Sequence, residues 1–189
     1  VSNVKGGPKM KVQVLFSAPV YITEDPEKVR QAVSNIINHG RPKSEEIRPM
    51  VFSDANQKSE NSGGETENIN PFISDATSRP NIQQIIVSKG DLMLLAGIHY
   101  MIRKEEIIDT AKSAFMECLS EDGLKTAVLL NKQAAFMKRL SFPADSEPLG
   151  SVKLEIRAET SEDMLKLIDW LTPPTKNGLP VFELKLDEL

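Results

Sequence analysis

The sequence predicts an α+β fold: a two-layer sandwich with a mainly antiparallel sheet and helices packed on one face. Three observations carry this. "SVKLEIRAET" (151–160) alternates Val152, Leu154, Ile156 and Ala158 against Lys153, Glu155 and Arg157, the period-two pattern of a strand with one buried face. "TEDPEKVRQAVSNIINHG" (23–40) places Val29, Val33, Ile36 and Ile37 on one helical face. From Asp91 to Leu119 a helical period recurs, with Leu92, Leu95, Ile98 and Ile102 in one stripe and Ile107, Ile108, Ala111, Ala114, Phe115 and Cys118 in a second.

Taken in order, "KVQVLFSAPV" (11–20) is rich in β-branched and apolar residues and reads as a strand. In the following helix Asp25 suits the cap, Pro26 the first helical position and Gly40 the left-handed stop. "EEIRPMVF" (45–52) is a weaker strand, which Pro49 restricts to an edge or an early break. "NIQQIIVS" (81–88) is a further strand, and the charged "RKEE" (103–106) divides the helical region in two, with Gly123 closing it. "KTAVLL" (125–130) reads as a strand. Residues 134–142 read as its hairpin partner, with Phe136, Leu140 and Phe142 on one face and a turn near "NKQ" (131–133), where Asn131 tolerates positive φ. After 151–160, Thr160 and Asp163 form a capping pattern for "SEDMLKLIDWL", whose Leu165, Ile168 and Leu171 are expected to face inward. Pro173 and Pro174 stop that helix, and "LPVFELKL" (179–186) is read as a last strand.

The expected organisation is a flexible leader at 1–9 and a single domain over 10–189. Residues 53–80, poor in apolar side chains, read as a mobile polar insertion in that domain. A chain of 189 residues can bury a sizeable core. Its single cysteine, Cys118, excludes an internal disulfide and fits a reducing, cytoplasmic setting. On an apolar helical stripe, Cys118 reads as a small buried hydrophobe. The most apolar window, "LMLLAGIHYMI" (92–102), is eleven residues long, short of the ~20 a membrane span needs, so it reads as a core helix or a homodimer interface.

Chemical signals are sparse. The ten glycines form no phosphate-binding loop. Of the two histidines, His39 falls at a helix end and His99 within the apolar helix, where packing accounts for it. Glu105, Glu106 and Asp109 read as helix-surface charges, and Asp169 beside Trp170 is one carboxylate, not an acid–base pair. No cofactor or metal is expected. An enzyme with a site around Asp169, Asn131 and Lys132 is the least favoured reading. The net charge of −4 argues against a generally basic nucleic-acid binder, but the charge is uneven: residues 125–157 hold six Lys and Arg against three Asp and Glu. Lys132, Lys138, Arg139, Lys153 and Arg157 could form a basic sheet rim for phosphates, with Asn131 and Gln133 bonding bases or sugars.

"LNKQAAFMKRLSF", "SEPLGSVKLEI" and "LIDWLTPPTKNGLPV", with "FSAPVYITEDPEKV" near the start and "RKEEIIDTAKSAF" between, resemble in content and order a small, mostly archaeal family of uncharacterised proteins. The resemblance spans about residues 11–182, interrupted by the insertion. It implies an α+β sandwich like that of a large-subunit ribosomal protein, with RNA binding and a link to the archaeal exosome predicted and no catalytic residues established. Arg103, Lys104, Asn131, Lys132, Gln133 and Arg139 match its motif positions. Glu105, Glu106 and the acidic insertion depart from the pattern. The expectation is therefore a non-catalytic RNA-binding module contacting RNA through these residues. A dimeric assembly subunit is the alternative.

Overall fold

The computed structural model describes residues 10–53, 82–143, 147–185 and 189. The expected leader lies outside the described residues, as does the expected insertion apart from Ser53.

Strand β1 (Val12–Tyr21) is the middle of a five-stranded sheet. On one side it pairs with β3 (Ile82–Gly90), which pairs in turn with β2 (Met50–Ser53). On the other side it pairs with β5 (Ser151–Ala158), which pairs with β4 (Lys125–Asn131). Every pairing is antiparallel, giving the order β2-β3-β1-β5-β4. The strand at 45–52 begins only at Met50, once Pro49 is passed.

Alternate side chains of the sheet, among them Val14, Phe16, Ala18, Val128, Leu154 and Ile156, enter the core. Helices close over that face. Helix α1 (Pro26–Ile37) is capped by Asp25, whose carboxylate accepts the Glu27 N–H at 3.0 Å. It buries Val29, Ala32, Val33, Ile36 and Ile37, and Gly40, at φ 77°, turns the chain just beyond. A 3₁₀ turn (Leu92–Leu95) leads into α2 (Ala96–Lys104), and α3 (Ile108–Glu117) follows a break at Glu106, φ 56°. The run 92–102 therefore packs inside its own chain: Leu94, Leu95, Ile98, Met101 and Ile102 are core residues. Gly97 lets α2 approach α1 closely, since a Cβ there would overlap the Ile36 carbonyl oxygen.

Several local expectations are corrected. Residues 131–142 are not a hairpin arm. Asn131 caps a short helix, α4 (Lys132–Phe136), its Oδ1 accepting the Ala134 N–H at 2.7 Å. Lys138, at φ 59°, then reverses the chain, so that Leu140 is buried and the Ser141 carbonyl accepts the Asn131 N–H. The partner of β4 is β5 instead.

Cys118 is exposed because α3 stops at Glu117 and the chain leaves the helical stripe there. Helix α5 (Ser161–Leu171) is capped by Thr160 as expected, but its inward stripe is Met164, Leu167, Ile168 and Leu171, which leaves Leu165 46% exposed. The last strand shrinks to β7 (Leu179–Pro180), paired with β6 (Thr175–Lys176).

Candidate functional site

The residues expected to contact RNA fall into four environments. In the first, Asn131 and Lys132 are structural. The Asn131 amide donates to Glu147 Oε1 at 2.7 Å while its oxygen caps α4. Lys132 is only 5% exposed. Its Nζ donates to the Pro19 carbonyl at 2.7 Å and to both Glu24 carboxylate oxygens at 2.8 and 3.0 Å, and it lies 5.3 Å from the Tyr21 ring centroid. Burial lowers the Lys132 pKa, and the Glu24 carboxylate opposes that shift. Of the three-residue polar turn expected at 131–133, Gln133 is exposed, Asn131 half-buried and Lys132 buried.

In the second, Lys153 and Arg157 lie on the sheet face away from the core, where the expected outward Glu155 is only 3% exposed. Arg157 Nε is 2.8 Å from Glu155 Oε1, and Lys125 and Lys153 are 3.5 and 3.7 Å from Oε2. Cations from two strands thus enclose one carboxylate, which is why a charge can stay buried there.

In the third, Arg103 closes the end of α5. It donates to the Trp170 and Leu171 carbonyls, each at 3.1 Å, and pairs with Glu183 at 2.7 Å. These carbonyls belong to a helix C-terminus, where a guanidinium supplies missing donors.

The fourth environment is the candidate site. Lys104, at the end of α2, lies 3.5 Å from His39 Nε2, just past α1. Lys138 and Arg139 follow α4, and Arg139 pairs with Glu105 at 3.2 Å. His39 packs against Tyr100 with ring centroids 5.2 Å apart, and Tyr100 is 50% exposed. Burial first, then the Lys104 and Lys138 ammonium groups, lower the His39 pKa, with Glu105 opposing. The site is an exposed set of three cations beside a neutral imidazole and an open aromatic ring. Such a set suits an anion attached to a planar group. In the sequence His39 reads only as a helix-end residue and Tyr100 only as part of the apolar run 92–102. Tyr100 and Lys104 stand four apart on one helix, the only local signal of their juxtaposition.

Beside this cluster, α1 and α4 enclose a groove of about 380 Å³ whose walls include Lys28, Val29, Ala32, Gln133, Phe136 and Met137. Asp169, the carboxylate weighed for an enzymatic role, pairs with Lys112 at 3.4 Å, whereas Lys132 is held by Glu24. Among the described residues no group of three or more His, Cys, Asp or Glu side chains is placed to hold a metal ion. No helix among them is long and apolar enough to cross a membrane.

No family model matches the chain. A UPF0201 protein of Methanosarcina acetivorans is 37% identical over 180 residues, covering 95% of each chain. One of Methanopyrus kandleri is 30% identical over 178 residues, covering 94% of each. The crystal structure of a UPF0201 protein from Methanococcus jannaschii superposes with a TM-score of 0.63 at 24% identity, covering 90% of this chain and 99% of that one, a likeness of fold. A second UPF0201 crystal structure gives a TM-score of 0.57. With this coverage and identity, the chain belongs to the UPF0201 family of archaeal proteins.

Proposed function

We propose that the protein is a non-catalytic RNA-binding module whose contact surface is the cluster of Lys104, Lys138 and Arg139 around His39 and Tyr100. The observation that supports this reading is the convergence of Lys104 and Lys138, from two separate chain segments, on His39, whose ring packs against the half-exposed Tyr100, with Arg139 held beside Lys104 by Glu105. Phosphates provide most of the affinity in such a surface, and the ring offers a face for stacking. Lys132 and Arg103 contribute to the fold instead, because their donors are engaged by protein oxygens. Lys153, Arg157 and Lys125 make a secondary basic surface whose charge Glu155 partly offsets.

Fluorescence-anisotropy titration with a mixed-sequence RNA at several salt concentrations tests the reading. Three phosphate contacts correspond to a slope of log K against log salt of about −2 for a single strand. The Lys104→Gln/Lys138→Gln variant is expected to reduce the magnitude of that slope by about 1.4. Absence of salt-dependent binding up to about 100 μM RNA, the weak end of nonspecific association, would refute it.

A further inference from the structure

The groove between α1 and α4 differs in kind from the basic cluster it adjoins. Its walls are mostly apolar: Val29 and Ala32 come from α1, and Phe136 and Met137 from α4 and the residue after it. Phe136 is 37% and Met137 70% exposed, although both side chains are large and apolar. The Gln133 amide stands on the rim, offering a donor and an acceptor. The floor is closed by the Lys132–Glu24 pair, whose charges satisfy each other.

The placement of charge around this groove narrows what can fill it. Helix α1 and the 132–139 segment run alongside each other in the same direction. Lys132 meets Glu24 ahead of α1, Asn35 donates to the Ala135 and Phe136 carbonyls, and Lys138 acts on His39 beyond the end of α1. Lys28 lines one end of the groove, and Lys104, Lys138 and Arg139 lie past the other. From Ala32 to His39 is about two helical turns, on the order of 10 Å. An occupant must therefore be apolar and compact in the middle and anionic on both sides. An acyl chain with one charged head has an anion at one end only. A duplex hides its base faces inside the stack. A single strand has the required pattern, with apolar base faces strung on a phosphate backbone.

We propose that the groove captures one unstacked base of single-stranded RNA, laid against Phe136 and Met137, while the flanking phosphates meet Lys28 on one side and the Lys104–Lys138–Arg139 cluster on the other. This rests on the RNA-binding reading above and adds the form of RNA selected: unpaired strands over duplex. Gln133 supplies hydrogen bonds to the base edge, and the closed Lys132–Glu24 floor excludes deeper insertion.

The test compares a short single strand with a duplex of equal length, using the full chain and a fluorescent purine analogue at one position of the single strand. The expected result is binding of the single strand about tenfold tighter than duplex, with a change in analogue emission on binding. Phe136→Ala should remove both effects, leaving duplex affinity and its salt dependence unchanged. Met137→Ser, a change at a mostly exposed position that adds no charge beside Lys138, should do the same by removing apolar surface from the groove wall. Equal affinity for the two forms, unaffected by either variant, overturns the groove assignment while the phosphate-binding reading stands. Binding of neither form overturns both. Binding of an acidic, phenylalanine-containing peptide in place of RNA overturns the proposal by giving the groove to a protein partner.

Discussion

Lys132 and Glu24, 108 positions apart in the chain, form a two-pronged ion pair with Nζ 2.8 and 3.0 Å from the carboxylate oxygens, and both side chains are nearly withdrawn from water. The pair ties the start of α4 to the turn that follows β1. It also satisfies the Pro19 carbonyl and, through Glu24 Oε2, the Tyr21 N–H. The ammonium therefore acts on the fold, although its charge in the sequence reads as a surface contact.

Breaking one side of this pair should cost more than removing both charges. Lys132→Met or Glu24→Gln alone is expected to destabilise by about 3–5 kcal/mol, because each leaves a desolvated partner. The double variant Lys132→Met/Glu24→Gln should be more stable than Glu24→Gln alone. Its remaining amide oxygen can still accept the Tyr21 N–H, and no buried charge is left. Urea unfolding midpoints of the four proteins check this, and strict additivity of the two single losses would contradict it.

Glu155 gives a second electrostatic prediction. The carboxylate is buried, but Arg157, Lys125 and Lys153 keep a third to almost half of their side-chain surface in water. Glu155→Gln should therefore cost about 2 kcal/mol, the scale of hydrogen bonding to a charged group, without unfolding the sheet. The loss should shrink at high salt, since the cations are partly screened in both proteins. Chemical denaturation at low and high ionic strength measures both effects.

These two carboxylates also show where sequence reasoning stops. Period-two alternation placed Glu155 on the correct face of β5, and helical periodicity placed α1, α2, α3 and α5, because those patterns are local. What surrounds Glu155 depends on β4 lying beside β5, which alternation alone does not specify. Asn131, read as a hairpin-turn residue, misleads for a different reason: asparagine serves both positive-φ turns and helix caps. The choice is made by the Ala134 N–H that it accepts and by burial of Ala135 and Leu140, a packing pattern that a strand through 134–142 would not produce. At the candidate site Lys104, Lys138 and Arg139 were legible as charges. The meeting of Lys104 and Lys138 at His39 was not, because it arises from the packing of α1, α2 and α4.

His99 makes stability depend on pH. It stacks on Trp170 with ring centroids 4.5 Å apart, its Nε2 is buried without a hydrogen-bond partner, and burial, then Arg103, lower its pKa from 6.5 to about 4, with Glu183 opposing. The folded state thus binds the proton less readily than the unfolded chain. The associated stability is fully present above about pH 6.5 and is lost as pH falls toward 4. Allowing for solvent screening of this partly exposed ring, the loss is on the order of 1–2 kcal/mol. His99→Phe keeps a flat ring against Trp170 and should remove that component. Unfolding free energies from pH 4 to 7.5 for the two proteins decide it: parallel profiles would rule out His99 as the source.

The close crossing of α1 and α2 makes Gly97 the most sensitive small residue in the described core. Gly97 is the second residue of α2, in its first turn, where alanine would ordinarily raise helix stability by at most about 1 kcal/mol. Here the added methyl would overlap the Ile36 carbonyl oxygen, with the Ile36 and Ile37 carbonyl carbons 3.1 Å away. These neighbours are backbone atoms of a packed helix and cannot rotate aside as a flexible side chain can. Gly97→Ala must therefore push the two helices apart, and the strain should outweigh the propensity gain, for a net loss of about 2–3 kcal/mol. Because His39 follows α1 and Lys104 ends α2, the displacement should also weaken binding of single strand and duplex alike, without altering any side chain of the site. A thermal midpoint equal to or above that of the unmodified protein would show that α1 and α2 do not cross as closely as described.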